Sequence, residues 1–98
     1  GASMADVDRV CRQTVIDAGY PEFSYGVGHG VGLEIHEAPW LRASSKETLA
    51  SNMLTTIEPG IYQHGVGGIR LENIYRVTEE GCQRLGTLPT NLDAFVLP

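Results

Sequence analysis

Gly26-Val27-Gly28-His29-Gly30-Val31-Gly32-Leu33 alternates a glycine with a larger residue at every step. A two-residue rhythm suits an extended strand, whose side chains point to opposite faces in turn. Glycine is a poor strand former, so this run asks for a reason, and close approach of another backbone or a ligand would supply it. The chain before it keeps a different period. Across residues 2–18, Met4, Val7, Cys11, Val15 and Ala18 recur at three- and four-residue spacing, while Asp6, Asp8, Arg9, Arg12 and Asp17 take the other side. That pattern predicts an amphipathic helix. Gly19 is a natural left-handed stop, and Pro21 prevents the helix from resuming.

Beyond the glycine run, residues 34–48 read as an irregular surface loop marked by Pro39 and the polar stretch Ser44-Ser45-Lys46. A strand is predicted over 53–62, a hairpin segment over Gln63–Gly68, a third strand over Ile69–Thr78 and a short fourth over Cys82–Gly86. The expected fold class is α+β: one amino-terminal helix packed on a curved antiparallel sheet of about four strands. No internal repeat or second composition zone divides the chain.

The 98 residues, 42% hydrophobic and 19% charged, make a single globular unit. Twelve acidic against seven basic residues give a formal charge of −5, which argues against a nucleic-acid or anionic-membrane surface. No apolar run approaches the roughly 18 residues of a membrane span, and no signal segment opens the sequence. Cys11 and Cys82 fit neither a disulfide framework nor a metal knuckle, and two reduced thiols imply a cytoplasmic protein.

Three segments gather His, Glu and Gly: GHGVGLEIHEAP at 28–39, TTIEPGIY at 55–62 and GGIRLEN at 67–73. Period-two counting sets Thr56 and Glu58 on one strand face, and Arg70 and Glu72 on one face of the next. The hairpin makes these strands antiparallel neighbours, so Glu58 and Glu72 can meet. Two carboxylates brought together off the solvent repel, and a cation between them resolves the conflict, with Arg70 supplying part of the compensation. His29 is the natural third donor, because its flanking glycines leave the imidazole unobstructed. His36 lies at an odd separation from it and would face the other side of a straight strand, but a bend at Gly30 or Gly32 would bring both rings to one cavity. One imidazole with carboxylates suits manganese, cobalt or zinc. Pro59 restricts Glu58 to extended backbone. His64 reads as solvated, and Trp40, Tyr62 and Tyr75 read as packing residues.

In this order and spacing, the three segments resemble the carboxy-terminal half of the pita-bread metallopeptidase catalytic domain, in the branch of Xaa-Pro aminopeptidase and Xaa-Pro dipeptidase (prolidase). The Arg of GIRLEN points to that branch. The resemblance implies that residues 1–98 are a carboxy-terminal piece of such a domain. It implies two divalent ions, manganese or cobalt in the main and zinc as a further option, activating a hydroxide that cleaves a proline-containing peptide. It assigns His29 as a ligand to one ion, Glu58 as a ligand that also shuttles the water proton, and Glu72 as the bridge. His36 would hydrogen-bond the substrate, and Arg70 would orient the carboxylates. Asn73 departs from the Asp usual in that branch.

A larger departure is that the family's two Asp ligands come from the amino-terminal half of its domain, and Asp6, Asp8, Asp17 and Asp93 match neither. The chain alone is therefore expected to be inactive and, with apolar surface uncovered, to self-associate or dimerise. Two other readings stand beside the peptidase: a non-peptidase relative of the creatinase kind, which uses the same fold without metal, and a binding-only relative. Retention of His29, His36, Glu58 and Glu72 disfavours the last.

Overall fold

A computed structural model describes residues 1–98. The helix, α1, runs Met4–Asp17, with Ser3 as its amino-terminal cap: the Ser3 hydroxyl accepts from the Asp6 N–H at 3.3 Å. It ends as the sequence predicts, with Gly19 at φ +87°. The Gly19 N–H donates to the Ile16 carbonyl and the Tyr20 N–H to the Val15 carbonyl, closing the last turn.

The helix face differs from the expected one. Asp8, assigned to the solvent side, is only 1% exposed, while Ala18 lies in the open. The reason is the segment between helix and sheet, which forms no ladder and whose polar backbone must be satisfied by side chains. Asp8 Oδ1 accepts from the Val27 N–H at 2.9 Å. Arg12 donates to both Asp8 oxygens, to the Tyr25 carbonyl at 2.9 Å and to the Phe23 carbonyl. Around this pair lies the core of Met4, Val15, Phe23, Val27 and Leu41, with Val7, Cys11 and Ile57 packed against it. Both cysteines are free, and burial together with Asp8 pushes the Cys11 thiol up.

Seven strands follow: β1 Gly28–Gly30, β2 Glu37–Leu41, β3 Leu54–Ile57, β4 Gly60–Gln63, β5 Gly67–Arg70, β6 Asn73–Val77 and β7 Cys82–Leu85. All pairings are antiparallel, in a five-stranded sheet ordered β2-β1-β3-β6-β7 and a separate β4-β5 ribbon. A turn of 3-10 helix at Leu92–Phe95 closes the chain. Three expectations need correction. The region expected to be irregular contains β2, which pairs with β1 across a register shift after His29. The glycine run is extended only at its centre, because Gly30 already meets β2. A side chain there would put Cβ 2.1 Å from the Ala38 carbonyl oxygen, and at Gly28 1.9 Å from that of Thr56. Backbone proximity is the reason for both glycines.

The other correction concerns the two long strands, each of which is broken in the middle. β3 gives way to β4 at Glu58-Pro59, and β6 follows β5 after Leu71-Glu72. Proline cannot donate to a ladder, so a break at Pro59 is expected on chemical grounds. Ile57 pairs with Asn73 on one side of the gap and Gly60 with Arg70 on the other. Continuing that register sets Glu58 opposite Glu72.

Candidate metal centre

Each proposed donor is fixed by its own backbone setting. His29 sits in β1 with its N–H on Thr56 Oγ1 at 3.1 Å, and its carbonyl accepts from Thr55 Oγ1 at 3.1 Å. Its ring Nδ1 lies 2.9 Å from the Gly30 carbonyl oxygen. A carbonyl can only accept, so Nδ1 carries the proton and Nε2 is left to face the cluster. Nε2 lies 3.0 Å from Glu58 Oε1. In the neutral ring these are two acceptors in contact, which is stable only with a proton or a cation between them.

Glu58 is 8% exposed, and its N–H donates to the Val27 carbonyl at 2.7 Å. Thr56 Oγ1 donates to Glu58 Oε1 at 2.9 Å, the same-face contact that strand parity predicts. Glu72 is more open. One donor atom each from His29, Glu58 and Glu72 lies within 4.8 Å of the others. Arg70 Nε stands 3.7 Å from an oxygen of each carboxylate, and Glu58 above all pushes its guanidinium up, holding it charged. One guanidinium against two carboxylates leaves a negative cluster. A borderline nitrogen with hard oxygens and no thiolate is a donor set for a first-row divalent ion, and the residues fit such an ion.

His36 does not join the donors. Residues 31–36 leave the strand and return as β2, and the bend sets the His36 ring beside that of His29, with centroids 4.5 Å apart and the planes tilted by 59°. Its ring is exposed, on the open side of the cluster. Trp40 pairs with His29 across β1–β2, with ring centroids 6.3 Å apart, and it and Tyr62 are 40% and 42% exposed, so neither is a core residue in this chain. His64 lies exposed in the β4–β5 turn. Sequence reasoning missed Thr55, and it missed Tyr25, whose hydroxyl donates to the Glu58 carbonyl at 3.1 Å and meets the Tyr62 hydroxyl at 2.9 Å. Burial and the Tyr62 hydrogen bond raise the Tyr25 phenol. Tyr25 lies outside any strand, so no periodicity marks it.

Residues 1–79 match metallopeptidase family M24. This chain belongs to that family. Over 86 residues the M24 chain is 40% identical to Xaa-Pro dipeptidase of Pyrococcus horikoshii, covering 87% of itself and 24% of that protein. Among solved structures, Xaa-Pro dipeptidase from Bacillus anthracis superposes with a TM-score of 0.89 at 41% identity, over 93% of this chain and 26% of the other. X-prolyl aminopeptidase from Caenorhabditis elegans, described as a cytosolic enzyme with a di-nuclear active site, gives 0.77 at 29% identity over 96% of this chain and 17% of its own. The fold is therefore part of the pita-bread fold of the M24 enzymes. The M24 chain spans about a quarter of the length of the curated relatives it matches. None of its helices is long and apolar enough to cross a membrane.

Proposed function

We propose that residues 1–98 are the carboxy-terminal part of a pita-bread catalytic domain whose complete form hydrolyses Xaa-Pro peptide bonds in the cytoplasm. The observation that carries the reading is the contact of His29 Nε2 with Glu58 Oε1, with Glu72 beside them. His29, Glu58 and Glu72 would hold divalent ions, two in the complete enzyme, with manganese or cobalt preferred over zinc for so oxygen-rich a set. When bound, the ions supply Lewis acidity toward water and the scissile carbonyl.

The protein's own groups do the rest. Glu58 takes a proton from the attacking water at a carboxylate oxygen and delivers it to the departing proline nitrogen. His36, exposed beside His29, donates to the scissile carbonyl oxygen as charge develops there. Arg70 orients both carboxylates and limits their repulsion. The 40% sequence identity to an Xaa-Pro dipeptidase and the likeness to Xaa-Pro peptidase structures support the substrate class. An open apolar groove of about 490 Å³, lined by Val15, Pro59, Ile61, Ile69 and Phe95 among others, supports self-association of the isolated chain.

The test is hydrolysis of Xaa-Pro dipeptides and longer Xaa-Pro peptides by the complete enzyme with added manganese. Proline-dependent turnover that Glu58→Gln abolishes is expected. Turnover indifferent to proline would overturn the substrate assignment, and full turnover by the variant would remove Glu58 from the chemistry.

A further inference from the structure

We propose that Asp8 and Arg12, on a helix outside the donor cluster, are the positioning pair that sets the separation of His29 from Glu58. The inference rests on reading those two residues as metal ligands. Val27 is the link. Its N–H donates to Asp8 Oδ1 at 2.9 Å, and its carbonyl accepts from the Glu58 N–H at 2.7 Å. The Val27 residue is thus held at one end by a buried helix carboxylate and at the other by the backbone of a metal-ligand candidate. His29 follows two residues later, in β1.

The other links across β1 and β3 are few. β1 and β3 share a single register pair, Gly30 with Thr55, and the remaining cross-links are the hydroxyls of Thr55 and Thr56. Arg12 makes the anchor rigid. Its guanidinium grips both Asp8 oxygens, at 2.9 and 3.1 Å, and lies 4.4 Å from the Phe23 ring centroid. It also donates to the carbonyls of Phe23 and Tyr25, the two residues that lead into Val27 by alternate steps. A helix that needed only to cover the sheet could do so with apolar side chains. The buried ion pair instead fixes the register of 23–27, and with it the imidazole's approach to the carboxylate. A shift of one ångström in a supporting shell is enough to weaken a metal site.

The experiment uses the 98-residue chain labelled with nitrogen-15, as wild type, Asp8→Ala, Asp8→Asn and the double variant Asp8→Asn with Arg12→Gln. Amide exchange at Val27 and Glu58, helix circular dichroism, and the affinity and visible absorption of added cobalt(II) are read for each. Asp8→Ala should keep the helix signal, accelerate exchange at both amides, and weaken cobalt binding ~tenfold with an altered spectrum. Asp8→Asn alone keeps an acceptor for Val27 but takes the carboxylate from a guanidinium that retains the Phe23 and Tyr25 carbonyls and Glu22 at 3.6 Å, so its effect on exchange and affinity should be partial. The double variant also loses Arg12's hold on those carbonyls, so both amides should exchange faster still and cobalt affinity should fall further than in Asp8→Asn. Should Asp8→Ala fail to fold, the contrast between Asp8→Asn and the double variant decides. Faster exchange at Val27 with unchanged Glu58 exchange and an unchanged cobalt spectrum would overturn the proposal, leaving the pair a mere staple. No cobalt binding by the wild type would count against the metal reading, and Glu58 exchange would then decide the positioning claim by itself.

Discussion

His29 Nε2 and Glu58 Oε1 are 3.0 Å apart, although the Gly30 carbonyl holds the ring proton on the opposite nitrogen. Two acceptors in that contact define a place for a positive charge. Glu72 enters the same space because the register of the two long strands, continued across their breaks, sets it opposite Glu58. The cluster is thus a product of strand register and of the close backbone approach that Gly28 and Gly30 permit, not of one local motif.

Thr56 is the first place to test this geometry. Its hydroxyl accepts from the His29 N–H and donates to Glu58 Oε1, so one atom sets both donors. Thr56→Val keeps the shape and leaves the His29 N–H without that acceptor, which should cost about 1–3 kcal/mol. Urea denaturation should show the loss, and cobalt(II) titration a parallel fall in affinity. Unchanged values in both would free the site from Thr56.

Tyr25 predicts a pH dependence. Its phenol is raised from 10.0, with burial the leading cause and the Tyr62 hydrogen bond next. A raised group contributes stability that is whole below its unfolded value and is lost as pH climbs toward the folded one. The urea midpoint should therefore fall as pH rises above about 10. Tyr25→Phe removes the titrating group and should flatten that limb relative to the wild type. Parallel decline of the two proteins would show that Tyr25 is not the group responsible.

Glu72 and His36 should separate cleanly in the complete enzyme. Glu72→Gln replaces two carboxylate oxygens with one good acceptor and removes a charge, so metal content and activity should both fall, affinity by ~100-fold or more. His36→Ala should leave metal content intact and lower turnover, roughly 10²–10³-fold for a lost charge-stabilising donor. Loss of metal in the His36 variant would move that residue among the ligands.

Much of this was legible in the sequence. The period change after Gly19 gave the helix and its end, and strand parity put Thr56 with Glu58 and Arg70 with Glu72. The bend that brings His36 to His29 was readable as an option that glycine permits. Strand breaks were harder. A pattern of alternating residues continues through Glu58-Pro59 and Leu71-Glu72, since the register itself continues, while across the gap the Leu71 N–H still donates to the Pro59 carbonyl and the Glu58 N–H turns to Val27. β2 was hidden because Pro39 and exposed residues at an edge strand look like a loop. Asp8 and Arg12 misled for a different reason: charge at helical spacing normally means solvent, and only the unpaired backbone of 23–27 makes their burial favourable.

The isolated chain should not hydrolyse Xaa-Pro peptides. One imidazole and two carboxylates cannot neutralise and space two ions, and the uncovered apolar groove should drive self-association. Sedimentation should give a mass above the monomer's 10.6 kDa, beside a peptidase assay with manganese that reads no turnover. Robust turnover by the purified chain would mean that the site is made of other residues.

The most direct test of the central claim is anomalous diffraction from crystals of the chain soaked in manganese. The account predicts a peak bonded to His29 Nε2 and to oxygens of Glu58 and Glu72, at about 2.0–2.2 Å for a first-row divalent ion. A saturating soak that leaves this cluster without a peak, or places the ion on other residues, would contradict it.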